Sequence, residues 1–173
     1  MRVVAGAFKG RPLRAPRGTA TRPTADRVRE ALFSMLGDVS DARVLDLFAG
    51  SGALGIEALS RGAASAVFVD HDARAVAAIR RNLESVGAEG EVRRQDGMRF
   101  LSAYEGTFDL VLVDPPYDLA SRFAEPLSER LPAVLAENAV VVTESDKRRP
   151  LELPLPLTRE RVYGDVRIAI HRG

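Results

Sequence analysis

"RVLDLFAGSGALGIEALSRG", residues 43–62, decides the fold. Its first five residues, 43–47, read as a buried strand. Gly50, Gly52 and Gly55 then match G-x-G-x-x-G, and the residues after them read as a helix. Glycines permit the tight turn and let backbone N–H groups approach a ligand closely. The helix N-terminus behind them favours a negative group. The motif alone names no cofactor, and a plain strand-to-helix turn could use the same residues.

The same rhythm extends downstream. "AVFVD" (66–70) is a strand, and "DARAVAAIRRNLESVG" (72–87) is a helix stopped at Gly87. "GEVRRQD" (90–96) is a short strand and "GMRFLSAY" (97–104) a helical stretch. "FDLVLVD" (108–114) and "AVVVTES" (139–145) are buried strands. Between them residues 119–136 are helical, with Pro126 and Pro132 expected to kink or interrupt the helix. "LTRERVY" (157–163) and "VRIAIHR" (166–172) follow, joined by Gly164-Asp165, and glycine first in a two-residue loop suits a type II′ turn. Strands separated by helices mean βαβ units and a mostly parallel sheet, closed by one antiparallel hairpin.

Upstream the pattern differs. Residues 2–17 hold two short extended segments, broken at Gly6 and Gly10, that suit a hairpin. Thr24 is placed to cap a helix in which Val28, Ala31, Leu32, Met35 and Leu36 recur at helical spacing. Gly37 is its expected stop. A boundary near residue 38 therefore divides a 1–37 extension from a 38–173 α/β domain, and the extension's apolar helix face should pack on that domain. Charge divides the same way. The whole chain carries +1, but residues 1–30 hold eight basic and two acidic residues, a net of +6, which leaves −5 on the rest. A basic arm on an acidic body is a footprint of nucleic-acid binding. With no cysteine among 173 residues, disulfides and thiolate zinc sites are excluded, and two histidines argue against a His-rich metal site while leaving carboxylate ligation open. No apolar run approaches a membrane span, no signal peptide is visible, and a cytoplasmic monomer is expected.

Acids then narrow the cofactor. Asp46, Asp70, Asp96 and Asp114 fall at the carboxyl ends of the first four strands of the α/β body, which line the ligand crevice of an open sheet. Singly, each is an ordinary cap or turn residue. Together they oppose a pyrophosphate, each like-charge contact costing roughly 3 kcal/mol before screening at an effective dielectric near 20. A cofactor with a cationic centre is favoured instead, and S-adenosylmethionine supplies a sulfonium and an ammonium. The spacing from Gly50 to Asp70 does not by itself exclude NAD.

After Asp114 the chain reads Asp-Pro-Pro-Tyr. Pro115 and Pro116 stop the strand and pre-set the backbone. An exocyclic base amine is a poor nucleophile because its lone pair is delocalised into the ring. The Asp114 side chain and the Pro115 carbonyl could accept its two N–H bonds and free that lone pair, while Tyr117 offers a face for stacking, worth about 1–3 kcal/mol. A base within a helix would first have to flip out.

"DLFAGSGALGIEALSRGA" (46–63) with "DPPY" (114–117) resembles the class I S-adenosylmethionine-dependent amino-methyltransferases. "GAFKGRPLRAP" (6–16) and "TRPTADRVREALFSML" (21–36) narrow the resemblance to the RsmD family, which methylates a guanine N2 amine in the 16S RNA of the small ribosomal subunit. It extends to the closing "VYGDVRIAIHR" (162–172). The resemblance implies a Rossmann-like class I methyltransferase fold, a seven-stranded sheet of order 3-2-1-4-5-7-6 with strand 7 antiparallel. It implies a cofactor set of Asp46, Phe48, Gly50, Gly52, Asp70, His71, Asp96 and Gly97, with Thr24 and Arg27 near the cofactor or the RNA. His71 reads more simply as a rim residue. Asp114, Pro115, Pro116 and Tyr117 would meet the guanine, without a metal. Arg2, Lys9, Arg11, Arg14, Arg17 and Arg22 would clamp RNA phosphates. Lys147, Arg148 and Arg149 would add to that surface or form a solvated loop. The expected partner is small-subunit ribosomal RNA, as an assembly intermediate with ribosomal proteins.

Rival readings keep the chemistry and change the substrate, to adenine N6 in nucleic acid or to protein glutamine. Others drop the chemistry, leaving a cofactor-binding RNA-assembly module or an NAD-binding protein. DNA adenine methyltransferases usually carry a sizeable target-recognition region, for which this chain has no room.

Overall fold

The computed structural model describes residues 1–16, 26–116 and 120–173. After an N-terminal loop come α1 (Asp26–Leu36), β1 (Arg43–Leu47), α2 (Ala53–Ser60), β2 (Ser65–Asp70), α3 (Ala73–Val86), β3 (Glu91–Arg94), α4 (Gly97–Ala103), β4 (Phe108–Val113), α5 (Ala120–Arg130), β5 (Leu135–Asp146), β6 (Leu157–Tyr163) and β7 (Val166–Arg172). The seven strands form one sheet of order β3-β2-β1-β4-β5-β7-β6. The first five are parallel to one another, and β7 runs antiparallel to both β5 and β6. Strand order reverses at β1, where the chain leaves for β2 on one side and returns as β4 on the other.

Alternation along the strands builds two cores. Val44, Phe68, Leu110, Leu112, Val142 and Ile168 face α1, α2 and α3, and Val3 and Leu13 of the N-terminal loop join them. Leu45, Leu47, Val67, Val69, Val111, Val113 and Val141 face α4 and α5. Central strands buried on both faces need the near-continuous apolar runs seen here.

The N-terminal segments pair as the expected antiparallel hairpin: Arg2 bridges Pro12, and the Val3, Gly10 and Leu13 N–H groups donate to the carbonyls of Arg11, Val3 and Met1. The Val4, Ala5 and Phe8 N–H groups bond side chains of α2. Two local expectations change. Helix α5 runs through Pro126 to Arg130, followed by a 3-10 turn over Leu131–Val134. Burial of Ala120, Leu127, Leu131 and Val134 on one face outweighs the hydrogen bond that Pro126 cannot make. β5 begins at Leu135, four residues before Ala139. Its first part is separated from the rest by an irregularity in register with β4, and Asn138 there has φ 60. Such a bulge is invisible to a period-2 reading. The Gly164-Asp165 turn has φ 64 at glycine, as its sequence predicts.

Candidate active site

The glycine turn begins with a backbone inversion. Phe48 has φ 63, a left-handed conformation costly for a bulky residue. Its ring packs on Phe123 of α5 at 4.7 Å between centroids, which offsets part of that cost. Gly50 and Gly52 continue at φ 56 and 75, where any other residue would be strained. Among the described residues, a Cβ on Gly50 would meet only the Phe48 carbonyl, 3.9 Å away, so on their account the outer side of the turn is open.

Two aspartates hold this turn from below. Asp46, 1% exposed, accepts the Gly55 N–H at 2.9 Å. Burial, with a further contribution from the nearby Asp70 charge, pushes its carboxyl up to about 8. Asp46 therefore lies beneath the turn rather than on an open crevice wall. Asp70 accepts the Gly50 N–H at 2.9 Å through Oδ2 and the Asp72 N–H at 2.9 Å through Oδ1. Its neighbour His71 points outward, 76% exposed, with Nδ1 at 3.7 Å from Asp70 Oδ1. Asp96 is exposed and caps α4 by accepting the Arg99 N–H at 3.0 Å. Gly97 is buried, and a Cβ there would stand 3.2 Å from Leu47 and 3.5 Å from the Phe48 ring.

The glycine turn and the Asp-Pro-Pro turn are neighbours. β1 and β4 are paired with Leu47 opposite Val113, so Phe48 and Asp114 leave adjacent strands at the same level. Strands in a sheet lie about 4.8 Å apart. Asp114 is half-buried, Pro115 buried and Pro116 exposed. Tyr117 lies outside the described residues, as do Thr24, Arg17 and Arg22. Arg27, in the first turn of α1, is exposed.

The basic arm is spread along the flank of α2 and α3. Arg2 carries an exposed side chain; its backbone N–H donates to Asp26 at 3.3 Å and its guanidinium lies 3.9 Å from the same carboxylate. Arg14 is exposed and anchored by its backbone to Asn82. Both lie near the crevice end of the sheet. Lys9 and Arg11 lie toward the far end. The Phe8 N–H bonds Ser60, the last residue of α2, and the Arg11 guanidinium donates to the carbonyl of Val86, the last of α3. Arg11 also covers the Phe8 ring. Lys147 and Arg148 pair with Asp165 at 3.2 and 3.6 Å and fasten the β6–β7 turn.

Sequence reading missed the residues that bind the arm to the body. Glu57, fully buried in α2, accepts the N–H groups of Val4 (2.7 Å) and Ala5 (3.0 Å) and pairs with Arg61 at 2.8 Å and Arg29 at 3.5 Å. Arg29 is itself fully buried, and also donates to Asp26 and the Arg2 carbonyl. The signal was an acid inside the otherwise apolar helix "ALGIEALS".

A sheet ordered 3-2-1-4-5-7-6 with its seventh strand reversed, and a glycine turn at the end of its first strand, define a Rossmann-like class I methyltransferase fold. Comparison with known proteins gives the family. The chain belongs to the family described as "Conserved hypothetical protein 95", the RsmD family, matched over residues 1–172. It is 42% identical to the "Putative rRNA methyltransferase YlbH" of Bacillus subtilis, covering 99% of this chain and 98% of that one. It is 37% identical to the "Ribosomal RNA small subunit methyltransferase D" of Escherichia coli K12, over 99% and 89%. The solved structure titled "Putative methyltransferase yhhF from Escherichia coli" superposes with a TM-score of 0.84 at 36% identity, covering 99% and 97%.

Proposed function

We propose that this chain transfers the methyl group of S-adenosylmethionine to the exocyclic N2 amine of a guanine in small-subunit ribosomal RNA. Methylation of ribosomal RNA rests on family membership and the relatives named above. The observation that carries the chemistry is the Leu47–Val113 register, which sets the glycine turn and the Asp-Pro-Pro turn side by side.

The residues present suit the cofactor. The outer side of Gly50 is open, and Gly50 and Gly52 cradle the methionine part. Asp70 spends one lone pair of each oxygen on backbone N–H groups and keeps capacity for ribose hydroxyls. Neutralisation of the buried Asp46 leaves the Asp70 carboxylate alone under the turn. Asp96 and Gly97 flank the adenine, with Phe48 beside them. When bound, the cofactor supplies an electrophilic methyl group beside a cationic sulfur.

The amine is prepared by this chain's own residues. The Asp114 carboxylate and the Pro115 carbonyl accept its two N–H bonds and draw the nitrogen toward tetrahedral geometry. Tyr117 stacks on the guanine. The nitrogen becomes acidic once it carries the methyl, so a weak acceptor suffices to take its proton. Alignment and preorganised electrostatics do the rest. Residues 1–37 act as the RNA-binding element, with Arg2 and Arg14 nearest the crevice, Lys9 and Arg11 continuing the track along the flank, and Arg17, Arg22 and Arg27 adding to its charge.

Asp114→Ala tests this reading. Methyl transfer to small-subunit RNA should fall by orders of magnitude while RNA affinity holds. Mass-spectrometric mapping of ribosomal RNA from cells with and without the protein identifies the product. An unchanged N2-methylguanosine pattern removes the guanine assignment, and an indifferent Asp114→Ala removes the enzyme.

A further inference from the structure

One buried amide joins the basic arm to the glycine turn. Asn82 lies in α3 and is 1% exposed. Its Oδ1 accepts the Arg14 N–H at 2.9 Å, and its Nδ2 donates to the Arg14 carbonyl at 2.9 Å and to the Ser51 carbonyl at 2.8 Å. Two carbonyls at one end and an N–H at the other fix the orientation of the amide. The side chain thus forms a strand-like pair with the arm and grips the carbonyl between Gly50 and Gly52.

That grip complements the two aspartates: they hold N–H groups of Gly50 and Gly55, whereas Asn82 fixes a carbonyl of the turn. Both glycines sit in the left-handed region; among the described residues Gly50 faces open space, while a Cβ on Gly52 would press on Ile79 and Phe68. Rotation of the Ser51–Gly52 peptide would lose the Asn82 bond and the bond from Gly52 N–H to the Ala49 carbonyl, now 2.7 Å. We infer that Asn82 is a positioning residue for the cofactor turn, and that the backbone of Arg14 completes it, so the arm is part of the cofactor site even without RNA. This rests on reading the glycine turn as the cofactor cradle. An apolar side chain would serve packing in α3 equally well, whereas an amide with all three of these bonds made serves the turn.

Asn82→Leu removes all three bonds. Asn82→Asp keeps the acceptor for Arg14 N–H and sets a carboxylate against two carbonyls. In the full chain both should weaken S-adenosylmethionine binding, measured by calorimetry without RNA, by about tenfold or more. KM for the cofactor should rise by the same factor, with kcat at saturating cofactor within about threefold. Arg14→Ala keeps the backbone pair, so cofactor affinity should hold while RNA affinity falls. Loss of RNA affinity only in that variant, with the Asn82 variants binding cofactor normally, overturns this inference and leaves the RNA reading standing. The reverse pattern overturns the RNA reading alone. A measurement on the unaltered protein needs no variant to fold: saturating S-adenosylmethionine should slow hydrogen exchange at the Arg14 amide at least threefold. An Arg14 amide that does not respond overturns the inference.

Discussion

Replacing Asp46 with asparagine should reshape the dependence of stability on pH. Asp46 is buried and keeps its proton up to about pH 8 in the native state. In the unfolded chain a carboxyl releases its proton near 3.9. Between those values the native state binds a proton that the unfolded state has lost. The contribution of Asp46 is therefore fully present below about pH 3.9 and is lost as pH rises toward about 8, at roughly 1.4 kcal/mol per pH unit. From pH 5 to pH 7 the loss is about 2.7 kcal/mol. The asparagine side chain would be neutral throughout and would keep an oxygen for the Gly55 N–H. The variant should gain about 2.7 kcal/mol on the parent between those two pH values. Asp26, Asp72 and Asp109, whose carboxyls are held below their ordinary value, and His171, lowered mainly by burial, titrate alike in both proteins and cancel in the difference. Urea unfolding of both proteins at pH 5, 6 and 7 measures it. Parallel stability curves would mean that Asp46 is ionised at neutral pH, and the electrostatics argued for the turn would be wrong.

Glu57→Leu should cost about 3–5 kcal/mol, because it strips the Val4 and Ala5 N–H groups of their acceptor and takes from the buried Arg29 one of its acids. Thermal unfolding gives the magnitude, and faster tryptic cleavage at Lys9 would locate the loosened segment. Gly6→Ala and Gly10→Ala form a contrast: both have positive φ, but a Cβ at Gly6 would lie 1.7 Å from the Ser60 carbonyl oxygen, whereas one at Gly10 has none of the described residues within 4 Å. The second should cost about 1 kcal/mol and the first several times more, by denaturant titration. The logarithm of RNA affinity should fall linearly with the logarithm of salt concentration, with a slope of about 0.7–0.9 per phosphate contact. Arg14→Ala should reduce that slope by about one contact; an unaltered slope removes Arg14 from the interface.

The α/β body was legible because its signals are local. Strands β1, β2, β4 and β5 are apolar runs ended by an acid or a turn, and Gly87 and the Gly164-Asp165 pair punctuate as glycine must. What misled were long-range compensations. Pro126 breaks an isolated helix, yet α5 continues because its buried face outweighs one hydrogen bond. The bulge before Ala139 is set by pairing with β4, which no window of sequence contains. The strand-end aspartates were located correctly along the chain, but the burial of Asp46 and the capping role of Asp96 depend on which face of the sheet α2 and α4 cover.

The arm shows the same division more sharply. Its charge was countable, and that suggested an appendage. Its attachment was not countable, because it is made by Glu57, Ser60 and Asn82, polar residues scattered over two helices of the body. A helix apolar on every side is a helix covered on every side. "ALGIEALS" has one face against the sheet, so its other face requires a cover, and its single acid requires donors that the cover must bring. Residues 3–5 are that cover: Val3 enters the core, and the N–H groups of Val4 and Ala5 reach Glu57. The segment proposed to carry cations toward RNA is thereby also the segment that closes the outside of the helix opened by the glycine turn. An arm built this way cannot be displaced without exposing the support of that turn, which would tie the two halves of the proposed reaction to one piece of backbone.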